Sequence, residues 1–263
     1  MPEISLKAEE LFHIGSLPIT NTYLVSFLAL FGLVVVGMIL NEKIKLSVGW
    51  LQNIVEVVLE ALLELMESVL GSREAAEKYL PLIATIFLFV ITSNWLGLLP
   101  GMGSILFHTE EGIVPLLRSP ASDLNFTLAI AISSVVAANL LGMIKLGFFG
   151  HLGKFFNFSD PINFFVGILE LVSEFAKVVS FSFRLFGNVF AGEVLLTIVA
   201  FLVGYIVPLP FMFLEIFVGF IQAFVFAMLT LVFLGLHTTS HDAHAEAGAH
   251  SQGSTLSTQK VEP

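Results

Sequence analysis

The sequence contains no cysteine, which excludes disulfides, thiolate metal sites and cysteine nucleophiles. Charge is nearly as scarce. Only 12% of the 263 residues are charged, about half the share of an average soluble domain. Lys and Arg are the scarcest charges, 11 against 21 Asp and Glu, for a net charge of −10. That balance disfavours nucleic acid as a partner. No HExxH, GxSxG or GxxxxGKS/T pattern occurs, so no hydrolytic or nucleotide site is expected, nor any catalytic residue, metal or cofactor. The first 20 residues hold Glu3, Lys7, Glu9 and Glu10 without an apolar run, and predict no cleavable signal peptide.

What remains is apolar. Hydrophobic residues make up 56% of the chain, 27 of them Phe, and the mean hydropathy is +0.94. A soluble fold of this length cannot hide so much apolar surface, so the composition predicts an all-α integral membrane protein. A spanning helix needs about 20 apolar residues to cross about 30 Å of hydrocarbon. Tyr23–Leu40, Leu80–Leu99, Leu124–Ile144 and Leu209–Leu236 qualify. Pro81 and Pro210 fall in expected first turns, where a missing N–H costs nothing, and Asp123 is placed to cap the third span.

The stretch Pro161–Val207 is different. Asp160-Pro161 is a strong helix start, and the next proline is Pro208. About 40 helical residues measure about 60 Å, twice the hydrocarbon thickness. The fifth spanning element is therefore expected to be a long tilted helix, with any bend near Gly187 or Gly192, forming a hairpin with the last helix. In Trp50–Leu70, Glu56, Glu60, Glu64 and Glu67 form one acidic stripe, so this segment is expected to be an interfacial amphipathic helix, either solvated or a docking surface.

Lys43, Lys45, Arg73, Lys78, Lys145, Lys154 and Lys260 gather on one side of the five expected crossings, and only Lys7 and Arg118 on the other. The positive-inside rule then puts the N-terminus outside and the C-terminus in the cytoplasm. The expected organisation is an extracytoplasmic segment 1–20, a membrane domain 21–236 with the tilted hairpin 161–236, and a disordered cytoplasmic tail 237–263. The tail's His237, His241, His244 and His250 lie in a Ser, Thr, Ala and Gly-rich context that favours disorder over metal binding.

The informative charges are those inside apolar helices, each costing about 3 kcal/mol on insertion scales. At 100° per residue, Glu170, Ser173, Glu174, Lys177, Ser180, Arg184 and Asn188 share one stripe. Lys177 can pair locally with Glu170 or Glu174. Arg184 has no acidic residue within four positions, so its partner must come from another helix or another chain. Glu193 lies half a helical turn round from Arg184 and about 13 Å along the axis. Two separate aqueous pockets, one per side, fit this better than one continuous path. Glu215 and Gln222 share a face of the last helix, and antiparallel packing brings Glu215 to the depth of Glu193 and Gln222 to that of Arg184. Two glutamates in apolar surroundings suit a group that takes and releases protons. Asn94, with Thr92 and Ser93, puts further polar groups in the second span, where interhelical hydrogen bonding is the plainest role.

The run Arg184-Leu185-Phe186-Gly187-Asn188-Val189-Phe190-Ala191-Gly192-Glu193 resembles the signature of subunit a of F-type ATP synthases, bacterial type. Matching residues stand at Ile168-Leu169-Glu170 and Ser180, at Ile221-Gln222-Ala223-Phe224-Val225-Phe226 with Leu229-Thr230, at Ser93-Asn94-Trp95 with Leu98-Leu99-Pro100, and at Ser122-Asp123-Leu124-Asn125. The resemblance covers about residues 20–236. It implies a non-catalytic, ion-translocating stator in the cell (inner or plasma) membrane, in the lipid bilayer beside a ring of c subunits, peripheral-stalk b subunits and other ATP synthase subunits. Arg184 would match the arginine that faces the ring carboxylate, flanked by Asn188 and Gln222. Glu193, Glu215 and Asn94 would line an outer half-channel, and Glu170, Ser173, Glu174 and Ser180 a cytoplasmic one. The chain departs from the pattern in holding two glutamates where relatives often carry one Glu and one His. Gly97 stands where some bacterial relatives have an acid, and the tail beyond His237 is longer than usual. The alternative, a proton-coupled secondary transporter, predicts internal repeats and paired broken helices. A membrane subunit of a redox complex would be longer, with Lys and Glu spread over several spans.

Overall fold

The computed structural model describes residues 8–15, 17–43, 49–99, 101–102, 105–109, 112–147, 161–204 and 206–239. Asp160, Lys45, Lys154, Lys260 and the histidines of the tail beyond Thr239 lie outside them. A short antiparallel hairpin, β1 (Glu10–Ile14) and β2 (Leu17–Thr20), leads into α1 (Asn21–Lys43). Then come α2 (Trp50–Leu70) and α3 (Arg73–Gly97), a second hairpin of β3 (Leu106–Thr109) and β4 (Gly112–Pro115), and a 3-10 turn at Pro120–Ser122. The chain ends in α4 (Leu124–Leu146), α5 (Pro161–Val203) and α6 (Pro208–Thr239). Five of the six helices among the described residues are long and apolar enough to cross a membrane, and α2 is not.

The helices begin and end for local reasons. Gly71 takes the left-handed conformation after α2, with φ 77°, and its N–H closes on the Glu67 carbonyl. The next residue, Ser72, caps α3 by accepting the Ala75 N–H, so two residues turn the chain. Asp123 caps α4 through the Asn125 N–H. Gly204, with φ 86°, stops α5. Two sequence expectations are corrected here. The second span does not start at Leu80: its helix begins seven residues earlier, at the Ser72 cap, so Pro81 lies inside α3. Its missing N–H frees the carbonyl of Glu77, at the end of the helix nearest water. The fifth helix also has a breaker before Pro208, namely Gly204. No bend is needed at Gly187 or Gly192 to keep α5 one 43-residue helix.

The core lies between α3 and α6, with α4 and α5 packed against them. Ile83, Phe87 and Val90 of α3 meet Ala223, Phe226, Leu231 and Leu234 of α6, while α5 contributes Phe181, Leu185 and Val189. Leu62, Leu63 and Met66 seat α2 on α3. The acidic stripe of α2 is partly internal to the chain: Arg73 bridges Glu60 at 3.0 Å and Glu67 at 3.6 Å, across the α2–α3 turn. Such exposed pairs contribute little energy but fix a register.

Helix direction alternates, so the N-termini of α1, α4 and α6 and the C-termini of α3 and α5 share one end with both hairpins. Asn21 Nδ2 donates to the Pro115 carbonyl at 3.1 Å, and Thr22 Oγ1 to Asp123 Oδ2 at 2.9 Å, tying this hairpin end together. The α2 end is opposite.

Candidate functional site

Near the hairpin end, α5 and α6 approach over glycine. A Cβ on Gly192 would overlap the Glu215 carboxyl group, so glycine there lets that group lie against the α5 backbone. The next residue, Glu193, turns into the same space. One further turn down, Asn188 Nδ2 donates to Gln222 Oε1 at 2.7 Å. Helix α3 closes the third side. Asn94 Nδ2 donates to the Gly219 carbonyl at 3.1 Å, and Trp95 Nε1 to the Ile216 carbonyl at 3.1 Å. Beside these contacts lies a cavity of about 320 Å³, lined by Asn94, Gly97, Arg118, Ser119, Glu193 and Glu215 among others.

Arg118 and Ser119 come from the segment after β4, which sequence reasoning passed over. Arg118 is buried, and its Nε lies 3.4 Å from Glu193 Oε1 and donates to Ser122 Oγ at 3.2 Å. The available signal was the rarity of basic residues on this side of the chain. Asn94 Oδ1, Ser119 Oγ and Glu193 Oε2 are buried without a hydrogen-bond partner among the described residues. Three such oxygens on one roomy polar cavity call for water.

Ser119 also explains the missing acid at Gly97. A Cβ on Gly97 would lie 2.5 Å from Ser119 Cβ and 3.3 Å from its Cα, so the loop occupies the volume a side chain would take. Gly97→Ala is expected to destabilise the protein by about 1–3 kcal/mol through overpacking. Thermal unfolding in detergent measures this, and Gly97→Ala/Ser119→Gly should recover most of the loss.

The α2 end holds a second polar group. Lys177 Nζ pairs with Glu174 Oε1 at 2.5 Å, Asn139 Nδ2 donates to Glu174 Oε2 at 3.0 Å, and Lys177 lies 4.4 Å from the centre of the Phe233 ring. These side chains, with Ser134 and Thr230, border a gap of about 10 Å³, roughly what one water needs. Between the two polar regions the contact of α5 with α6 is apolar, with Leu185 fully buried and the Phe181 and Phe226 rings 4.9 Å apart.

The stripe read along α5 is divided. It is about 120° wide on the helix wheel, and the edge of the bundle cuts through it. Glu174 and Lys177 turn inward, with side chains only 12% and 15% exposed. Ser173, Ser180 and Arg184 lie on the exposed face, and Glu170 is half-buried. Asn188 is exposed but reaches Gln222, which is buried. Arg184 thus stands on a stripe of exposed Ala176, Ser180, Ala191, Leu195 and Ile198. No acidic side chain pairs with it among the described residues.

A sequence model of the ATP synthase A chain family matches residues 22–235. The chain belongs to the ATP synthase A chain family. It is similar to ATP synthase subunit a of Moorella thermoacetica, 32% identical over 236 residues, 88% of this chain and 97% of that one. It is likewise similar to ATP synthase subunit a of a Campylobacter jejuni strain, at 36% over 89% of this chain and 91% of that one. A third such relative is from Gloeobacter violaceus, at 37% over 84% and 83%. As a member of the ATP synthase A chain family with five helices long enough to cross a bilayer, the chain is a multi-pass membrane subunit. The transporter alternative also expected broken helices, whereas α5, which bears Arg184, is continuous.

Proposed function

We propose that this chain is the ion-translocating stator of a rotary ATP synthase membrane sector, coupling proton or sodium flow to rotation of a c-subunit ring. The single observation that carries this reading is Arg184, an exposed guanidinium on an apolar helix face with no acidic partner among the described residues. Such a charge inside hydrocarbon calls for a partner, and a carboxylate passing on a neighbouring ring supplies one. The guanidinium draws that carboxylate into its ionised form as it arrives and blocks direct leakage past the helix.

The two polar regions then act as half-channels. Water in the hairpin-end cavity brings ions to Glu193, Glu215 and Asn94 from outside, where the N-terminus lies. Glu170, Ser173, Glu174 and Ser180 serve the cytoplasmic side. Asn188 and Gln222 flank Arg184 between them. Leu185, Phe181 and Phe226 keep the two regions apart, so an ion passes only by riding the ring. Peripheral-stalk b subunits hold the chain still, the nucleotide chemistry belongs to other subunits, and the whole lies in the cell membrane with the C-terminus in the cytoplasm.

Purification in mild detergent tests the assignment. The chain is expected to bring down an oligomeric ring of a small hairpin proteolipid. Recovery as an autonomous carrier that drives solute uptake without a ring would contradict it.

A further inference from the structure

We propose that Arg118 is a positioning residue of the ion path: it holds Glu193 as a fixed ion pair and leaves Glu215 as the acid that exchanges protons with cavity water. This rests on the ion-path reading above and deepens it. In sequence the two glutamates look equivalent, each in an apolar helix near the hairpin end. The structure separates them. Arg118 is only 7% exposed, and its Nε faces Glu193 Oε1 at 3.4 Å. A buried guanidinium of this kind is always charged and must be matched by an anion. The same Nε donates to Ser122 Oγ at 3.2 Å, so the guanidinium is anchored to the 3-10 turn just before the Asp123 cap of α4 rather than free to swing. Glu215 has no cation within ion-pair reach among the described residues, and its carboxyl group lies over Gly192 on the cavity wall.

The division of labour follows. Glu193 Oε1 is engaged by Arg118, and its Oε2 is left as a buried acceptor for cavity water. Glu215, on the opposite wall, takes a proton from that water and returns it towards the ring. The guanidinium also sets a fixed positive charge in the cavity wall, so two glutamates and the oxygens of Asn94 and Ser119 do not amount to a cage for a metal cation.

The test is passive proton flux through the assembled membrane sector, stripped of its soluble head and reconstituted in lipid vesicles. Recovery of the ring with each variant monitors assembly. Arg118→Gln is expected to lower flux about tenfold, a coupling of ordinary size for a contacting pair, and Arg118→Lys to stay within about twofold of the wild type. Glu215→Gln should lose more flux than Glu193→Gln. Because Arg118 acts through Glu193, Arg118→Gln/Glu193→Gln should be no slower than Arg118→Gln, whereas Arg118→Gln/Glu215→Gln should multiply the two losses. Unchanged flux in Arg118→Gln, with both glutamine variants impaired, would overturn the role of Arg118 and leave the ion path standing. Unchanged flux in all three would overturn the ion path itself. Should Arg118→Gln fail to assemble, the wild-type complex decides. A hydrophobic carbodiimide, which reacts with protonated carboxyl groups, is expected to modify Glu215, and modification of Glu193 instead would overturn the proposal.

Discussion

Replacing Arg184 by Ala is expected to abolish both ATP-driven proton pumping and proton-driven ATP synthesis in vesicles, by at least about 100-fold, the usual loss when one preorganised charge partner is removed. The size follows from the site. Nothing else on the exposed face of α5 carries positive charge: Ala176, Ser180, Ala191 and Leu195 surround Arg184. Lys177, two turns away, is already committed to Glu174. No neighbouring residue therefore substitutes for the lost guanidinium, and a ring carboxylate has no anion site to enter. Because Arg184 makes no ion pair among the described residues, the variant should still assemble with the ring. Normal pumping by Arg184→Ala vesicles would sink the stator assignment.

The second large effect concerns stability. Lys177→Met should destabilise the protein by about 3 kcal/mol, the lower end of the cost of removing one partner of a buried ion pair, because Glu174 keeps other contacts and borders a water-sized gap. Glu174 would keep the Asn139 hydrogen bond but lose its cation in a site closed by Phe233. Lys177→Met/Glu174→Leu should recover most of that loss, since an apolar pair of similar volume avoids desolvating any charge. Thermal unfolding of the purified complex separates the outcomes. A Lys177→Met variant as stable as wild type would mean that the Lys177–Glu174 pair adds nothing to the fold.

Much of this architecture was legible along the chain. Charge-free runs of about 20 residues mark the spans because a bilayer penalises each exception separately. The depth match between Glu193 and Glu215 follows from counting residues back from the tight turn between α5 and α6; the same count puts Gln222 near Arg184, whereas the structure pairs it with Asn188, one turn nearer the hairpin end. The site's closure was not legible. Arg118 and Glu193 are brought together by the loop after β4, and loop pairing leaves no periodic trace. The same loop puts Ser119 against Gly97, so that glycine is a contact rather than a gap. The polar stripe of α5 was visible, but which part faces inward depends on where α4 and α6 lie. The proline in α3 was misplaced because the amphipathic turn Arg73–Tyr79 looks like loop until the Ser72 cap is seen.

The unbroken length of α5 has a geometric consequence. From Phe164 to Val203 the helix has 40 apolar-rich residues, about 60 Å at 1.5 Å each. A straight rod of that length held wholly within about 30 Å of hydrocarbon would incline by about 60° from the membrane normal, far beyond the roughly 20° common among spanning helices. At that inclination most of the distance along the helix becomes sideways travel. Glu174 and Glu193, about 28 Å apart along the axis, are then about 25 Å apart in the plane of the membrane. On the proposed path, an ion entering beside one and leaving beside the other would be carried laterally, along an arc, and this slanted rod would set how long that arc is.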